Sequence, residues 1–155
     1  MNPVAKVVWQ GLEFRKPAML RHVEPLSEEQ MRWHPPNKAN SISWQLWHIA
    51  EVEDNWIRAL LEGEPKRYPF GCSVKVATSD QYPSKSMLLE YFLEVREISR
   101  KRLIKMTEAD FKRTVHDDHF GELTVGEVWG GVVTSFAWHA GQIALTNRLL
   151  GRPVM

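Results

Sequence analysis

The sequence predicts an all-α protein, a four-helix bundle forming a single domain over residues 1–155. Pro and Gly residues divide the chain into four long stretches, and in each stretch apolar residues recur every three or four positions. The length suits one domain, and little sequence remains for strands. Four helices with one apolar stripe each bury those stripes most simply together, in an antiparallel type of bundle.

The first long helix is expected at Pro3–Val23, where valines and leucines follow helical spacing. Pro17 lies inside this stretch and removes a backbone N–H, so we expect the helix to be bent or split there. Ser27 then begins a short helix as its N-cap, with Gln30 three residues later, and Pro35 marks its end.

The second and third long helices begin at serine caps. Ser41 or Ser43 caps the second helix and Gly63 ends it, and the helix carries an apolar stripe of Trp44, His48, Val52, Trp56 and Ala59. Ser84 opens the third helix, whose apolar side comprises Leu88, Tyr91, Val95, Ile98 and Arg102.

The fourth long helix is expected to begin after Thr124 and to end at the residues Gly151, Arg152 and Pro153. Its apolar side comprises Val128, Val132, Ser135, Phe136, His139, Ile143 and Thr146. The segment 111–123 lacks a helical period and contains a glycine, so it predicts a short irregular or extended excursion before this helix.

Charge and composition exclude several classes of function. Twenty basic and nineteen acidic residues give a net charge of +1, which provides no overall field to attract nucleic acid or anionic membranes. A basic tract at 96–105 is interleaved with acids, which predicts an exposed, salt-bridged helix face. No apolar stretch reaches the ~18 residues of a membrane span, and the first residues do not resemble a signal peptide. We therefore expect a cytoplasmic protein that binds neither nucleic acid nor membrane. Cys72, as the only cysteine, excludes an internal disulfide.

Two histidines are the candidate metal ligands. His48 and His139 each lie in the middle of a long helix on its apolar side, where bundle proteins place ligands that point inward. Imidazole binds divalent transition metals, although a catalytic zinc site normally has three protein ligands. The alternative is a pair of buried, hydrogen-bonded core histidines. His116 and His119 lie in a predicted loop and are expected at the solvated surface.

Three further residues could complete a site. Ser135 lies four residues before His139, where a third ligand would stack on the same helix face. Glu51 follows His48 by about one turn and is either a ligand or a solvated surface acid, whereas Gln142 could serve as a ligand or a hydrogen-bonding neighbour. The large apolar residues near the histidines either wall a pocket or fill the core; the pocket wall is expected at Trp44, Val52 and Trp138.

Two segments carry a family resemblance. SISWQLWHIAEVEDNWIRALLEG and FGELTVGEVWGGVVTSFAWHAGQIALTNRLLG resemble the second and last helices of the DinB-like superfamily, four-helix metal-binding proteins that include thiol-dependent transferases. LSEEQMRWHPP is similar to the linker between the first two long helices. The resemblance implies a divalent metal, zinc or nickel, held at His48 and His139, a low-molecular-weight thiol as reaction partner, and a homodimer.

The chain departs from the family pattern at one ligand. The family triad combines one histidine of the second helix with an H-x-x-x-H pair of the last helix, and here Ser135 replaces the first histidine of that pair. Two functions remain open. The chain is either a metal-dependent thiol transferase or isomerase, or a non-catalytic stress-response or small-ligand-binding bundle with a degenerate metal site.

Overall fold

A computed structural model describes residues 1–36, 39–76 and 78–152. Six α-helices and one hairpin follow one another along the chain: α1 (Pro3–Val23), α2 (Glu28–Arg32), α3 (Ile42–Asp54), α4 (Lys85–Lys105), α5 (Glu108–Lys112), β1 (Thr114–Asp117), β2 (Gly121–Thr124) and α6 (Val125–Leu149). The four long helices form the predicted bundle, with a core of buried aliphatic and aromatic side chains.

Helix caps lie where the sequence places them. Ser27, Ser41, Ser84 and Thr124 each accept a hydrogen bond from a backbone N–H in the first turn of the following helix. Gly151 ends α6 with a φ of 76°, a left-handed conformation that favours glycine, whereas Pro153 lies outside the described residues. Local side-chain chemistry therefore defines these boundaries.

Helix α1 is continuous through Pro17, so of the two predicted outcomes, a bend or a split, the split does not occur. Pro17 is exposed, so the Glu13 carbonyl that loses its helical hydrogen bond lies on the solvated side of the helix. Helix α3 continues beyond its α-helical part as a π-helical turn, Asn55–Leu60, and the backbone leaves the helix at Gly63.

The helix directions differ from the expected antiparallel arrangement. Contacts of Gly11 with Val133 and of His22 with Asn147 show that α1 and α6 run in the same direction. The contacts Asp54–Tyr91 and Glu62–Arg102 likewise make α3 and α4 parallel neighbours, whereas α3 and α6 are antiparallel. The chain between α3 and α4 must therefore return along the bundle, and this crossover carries the short 3₁₀ turn Ser73–Lys75 back to α3.

The segment before α6 forms an antiparallel hairpin that pairs Thr114 with Thr124 and Asp117 with Gly121. The Asp117 carboxylate accepts hydrogen bonds from two backbone N–H groups in the turn. This confirms the predicted extended excursion, although its first part is the short helix α5, which buries Phe111. None of the described helices is long and apolar enough to cross a membrane.

Candidate functional site

The bundle brings His48 of α3 and His139 of α6 together. Their ring centroids lie 5.1 Å apart at an interplanar angle of 76°, and Trp44 stacks on the His48 ring with its centroid 4.5 Å away. Helix α3 presents Trp44 and His48 on one face because they are four residues apart. The two predicted metal ligands are therefore neighbours in the fold.

The crossover chain fixes the orientation of His48. The Ser73 hydroxyl donates to Glu51 Oε1 at 2.9 Å and lies 2.9 Å from His48 Nδ1. Since a hydroxyl has only one proton, Ser73 can only accept from the imidazole, so Nδ1 of His48 carries the proton. The lone pair of His48 Nε2 is then free for a ligand.

Glu51 is a hydrogen-bonding neighbour of this arrangement. Only 4% of its surface is exposed, so it is not the solvated surface acid that the sequence left open. Its carboxylate accepts from the Ser73 backbone N–H at 2.9 Å, from the Ser73 hydroxyl, and from the Cys72 thiol at 3.8 Å. Burial raises the pKa of Glu51, and the hydrogen bonds from Ser73 and Cys72 oppose that rise.

Two glutamines fix the orientation of His139. Nδ1 of His139 is hydrogen-bonded to Gln45 Oε1, and Gln45 Nε2 donates to Gln142 Oε1 at 2.5 Å. Because the amide oxygen of Gln45 accepts, Nδ1 of His139 is the donor and its Nε2 lone pair is free. Gln142, predicted as a ligand or neighbour, accepts a hydrogen bond from the same Gln45 amide that orients His139.

The surroundings of both histidines favour the neutral imidazole. Burial and the nearby His139 lower the pKa of His48 to about 4, and burial also lowers the pKa of His139. Neutral imidazole is the form that binds metals, so the two free nitrogens suit a divalent cation. No group of three or more His, Cys, Asp or Glu side chains in the described part of the chain is placed to hold a metal ion.

The remaining predicted residues have different surroundings. Ser135 is half-buried one turn before His139, and Val52 is half-buried one turn after His48. Trp138, expected in the pocket wall, has 67% of its surface exposed, because the residue before His139 projects from a different side of α6. The indole N–H of Trp44 donates to the Ser73 carbonyl at 3.0 Å, so Trp44 is a wall of the site.

A cleft lies beside Trp44 and Ser73, which both contact His48, although neither His48 nor His139 is among its lining residues. Its volume is about 570 Å³, and Trp44 and Ser73 line it together with His34, Asn40, Val74 and Tyr82. This volume falls in the range of small-molecule sites. Gln45 and Ser73 escaped the sequence analysis. The position of Gln45 three residues before His48 was a usable signal, whereas nothing in the loop sequence identifies Ser73.

Comparison with known proteins agrees with this architecture. The model of the DinB superfamily matches residues 12–143, so the chain belongs to that superfamily. No match was found among curated proteins.

Solved structures share the fold at low sequence identity. A conserved protein from Enterococcus faecalis is similar with a TM-score of 0.81 and 16% identity, covering 98% of this chain and 100% of its own. YfiT from Bacillus subtilis is similar with a TM-score of 0.77 and 18% identity, covering 99% of this chain and 91% of its own. YfiT is described as a probable metal-dependent hydrolase with an unusual four-helix bundle topology.

Proposed function

We propose that this chain holds a divalent transition metal, zinc or nickel, between His48 and His139 and catalyses a transfer reaction with a low-molecular-weight thiol. The observation that carries the proposal is that hydrogen bonds fix the tautomer and the orientation of both imidazoles. Each has its Nδ1 engaged, by Ser73 or by Gln45, and each keeps a free Nε2. Metal-binding histidines characteristically donate their second N–H to a protein group in this way.

The residues around the histidines have distinct roles in this proposal. Glu51 orients Ser73, and Ser73 orients His48; Gln142 orients Gln45, and Gln45 orients His139. When bound, the cation would supply a Lewis acid that lowers the pKa of a coordinated thiol. The Ser135 hydroxyl or water would complete the coordination, and the thiol sulfur would take the open position on the cation.

Membership of the DinB superfamily and the similarity to YfiT support the use of a metal by this fold. The thiol rests on the resemblance of the two helix segments to thiol-dependent transferases. A hydrolase would activate water at the same position. Whether the cation binds a thiol or water therefore distinguishes a thiol transferase from a hydrolase.

Metal content tests the site. Protein purified without an affinity tag or chelator should contain near-stoichiometric zinc or nickel by elemental mass spectrometry. His48→Ala and His139→Ala should each lose this metal, whereas the exposed His116→Ala variant should retain it. Full metal content in both site variants would refute the proposed site.

Spectroscopy tests the thiol. Adding cysteine or glutathione to the nickel- or cobalt-loaded protein should produce a thiolate-to-metal charge-transfer band that His48→Ala lacks. A loaded protein that shows no such band but hydrolyses p-nitrophenyl acetate in a metal-dependent manner would favour a hydrolase instead.

A non-catalytic, small-ligand-binding bundle is the second candidate. It is favoured by Ser135 at the third ligand position and by the hydrogen bonds that both histidines already make within the fold. An empty wild-type protein that takes up metal only as Ser135→His would support this candidate. In that case His48→Ala in the wild-type background would lower stability and leave metal content unchanged.

A further inference from the structure

A second cavity lies at the opposite end of the bundle from the histidines. Its volume is about 560 Å³, and it opens between the end of α3, the end of α4, α5 and the start of α6. Leu61 follows His48 by 13 residues, which at a rise of 1.5 Å per residue is roughly 20 Å along the helix. The cavity is therefore separate from the candidate metal site.

The floor of this cavity is apolar. Its side chains are buried or half-buried and come from the end of the α3 region, from α4 and the residue after it, and from α6: Ile57, Leu61, Ile98, Met106, Val125 and Trp129. Covering this apolar surface with an apolar ligand removes it from water, which favours binding.

The rim of the cavity is cationic. Five basic residues line it against two acids, Glu62 and Asp110. Three of the five form ion pairs: Arg102 with Glu62 at 2.6 Å and with Glu64 at 2.8 Å, Arg58 with Glu64, and Lys101 with Glu97 at 3.7 Å. Within the described residues, neither Lys105 nor Arg113 forms an ion pair with a carboxylate. The unpaired positive charge of the rim therefore lies at Lys105 and Arg113.

Two residues of the lining carry unused hydrogen-bond donors. The indole N–H of Trp129 and one terminal nitrogen of the Arg102 guanidinium are buried without an acceptor in the described part of the chain. Buried donors are nearly always paired, because an unpaired one loses its hydrogen bond to water without a replacement. The lining thus has an excess of donors and of positive charge, and both favour an acceptor-rich anion.

We propose that this cavity binds an amphiphilic carboxylate, with its apolar body against Ile57, Ile98 and Val125 on the floor and its carboxylate at Lys105 and Arg113. The volume suits a small molecule rather than a macromolecule. The apolar floor disfavours the binding of inorganic phosphate, and the cationic rim disfavours the binding of an amphiphilic cation.

Calorimetric titration with decanoate tests the proposal, at concentrations below its critical micelle concentration. Decanoate should bind the wild-type protein with one site, and decyltrimethylammonium, which has the same chain length and the opposite charge, should not bind. The Lys105→Glu/Arg113→Glu variant should weaken decanoate binding at least tenfold. Raising the salt concentration should also weaken it, because salt screens exposed charges.

Three matched variants complete the experiment. Lys6→Glu/Arg15→Glu changes the net charge equally on the exposed face of α1 and should leave decanoate binding unchanged. Ile98→Trp fills the cavity and should block binding while the far-ultraviolet spectrum stays helical. His48→Ala should bind decanoate as the wild type does. A failure of the proposed metal site can therefore be told apart from a failure of the proposed carboxylate site. Equal decanoate affinity in the two charge-reversal variants, binding of the cation, or no decanoate binding to the wild type would each overturn the proposal.

Discussion

At the scale of single residues, Ser73 is the most informative side chain of the candidate site. It is fully buried, and its hydroxyl connects the Glu51 carboxylate to His48. Removing this hydroxyl would leave Nδ1 of His48 without its acceptor and free the ring to turn. Ser73 is thus a positioning residue: it orients His48, the proposed metal ligand, and is not itself a proposed ligand.

We expect Ser73→Ala to lower the affinity for Zn²⁺ about 10- to 100-fold, the usual effect of losing a group that orients a metal-binding histidine. Competition against a chromophoric chelator measures this affinity. Ser84→Ala, which removes the cap of α4, should cost about 1 kcal/mol of stability and leave the affinity unchanged. Equal affinities of Ser73→Ala and the wild type would show that Ser73 has no orienting role.

The sequence predicts the site only in part, and the reason lies in particular residues. His48 and His139 were identifiable because each interrupts an apolar stripe with a polar ligand type. Ser73 was not, because it lies in a loop and reaches His48 only through the crossover chain. The spacing of apolar residues predicts which face of a helix is buried. It does not predict which helix a long loop packs against.

At the scale of elements, helix ends were predictable and helix faces less so. The caps rely on hydrogen bonds within one turn, so the local sequence determines them. The apolar stripe expected on α3 is only partly in the core: Trp44, His48 and Val52 are half-buried, whereas Leu46, Ile49 and Ala50 are fully buried. Of the three stripe residues, Trp44 lines the cleft. The most buried face of α3 is thus a different face from the one that the spacing indicated.

The contact between α6 and the π-helical turn depends on a glycine. A Cβ at Gly131 would lie 2.3 Å from the Trp56 ring, whereas a Cβ at Gly130 would meet nothing within 4 Å. We expect Gly131→Ala to destabilise the fold by about 1–3 kcal/mol, because the rigid indole must move. Gly130→Ala should stabilise it by about 0.5–1 kcal/mol through helix propensity. Urea denaturation of both variants checks this, and similar midpoints would contradict it.

Helix α4 buries a charge that the sequence analysis placed on an exposed face. Arg96 and Glu53 are each 2% exposed and lie 3.1 Å apart, and the Arg96 guanidinium also lies over the rings of Phe92 and Phe136. Burial raises the pKa of Glu53, and the charge of Arg96 opposes that rise. The charge pattern of α4 alone could not reveal this pair, because its acidic partner is on α3.

We expect Arg96→Met to cost about 3–5 kcal/mol, because it leaves the Glu53 carboxylate buried without a counterion. The double variant Glu53→Met/Arg96→Met should recover most of this loss, since two apolar side chains replace the pair. Arg100→Ala breaks the exposed pair with Glu97 and should shift the denaturation midpoint far less than Arg96→Met, because solvent screens exposed charges. Chemical denaturation measures all three. A double variant that is no more stable than Arg96→Met would show that the arginine contributes through packing alone.

At the scale of the whole molecule, the parallel pairs α1 with α6 and α3 with α4 explain why the site exists. Because α3 and α4 are consecutive long helices that run in the same direction, a long connection must join them. This connection packs the chain around Ser73 against α3. An antiparallel bundle with short loops would leave His48 and Glu51 without these contacts. The topology thus supplies the hydrogen bonds that Ser73 and Cys72 make with Trp44, His48 and Glu51 at the candidate metal site.

The outer faces of α1 and α6 are unusually apolar. Residues 128–147 of α6 contain no Asp, Glu, Lys or Arg, yet Trp138 and Leu145 are exposed. Phe14 of α1 has 76% of its surface exposed. It lies at about the same level along the bundle axis as Trp138, because Gly11 neighbours Val133 and the two helices are parallel. Exposed apolar patches of this kind characterise protein interfaces.

We therefore expect a homodimer in which the α1 and α6 faces of two copies pack together around Trp138. Burying two copies of this face removes apolar surface from water, whereas Trp138→Glu would place a charge in the interface. Light scattering after size-exclusion chromatography should give twice the chain mass for the wild type and a single chain mass for Trp138→Glu. Phe120→Glu alters an equally exposed aromatic residue on the hairpin and should remain dimeric. A monomeric wild type at micromolar concentration, or a Trp138→Glu variant that stays dimeric, would exclude this interface.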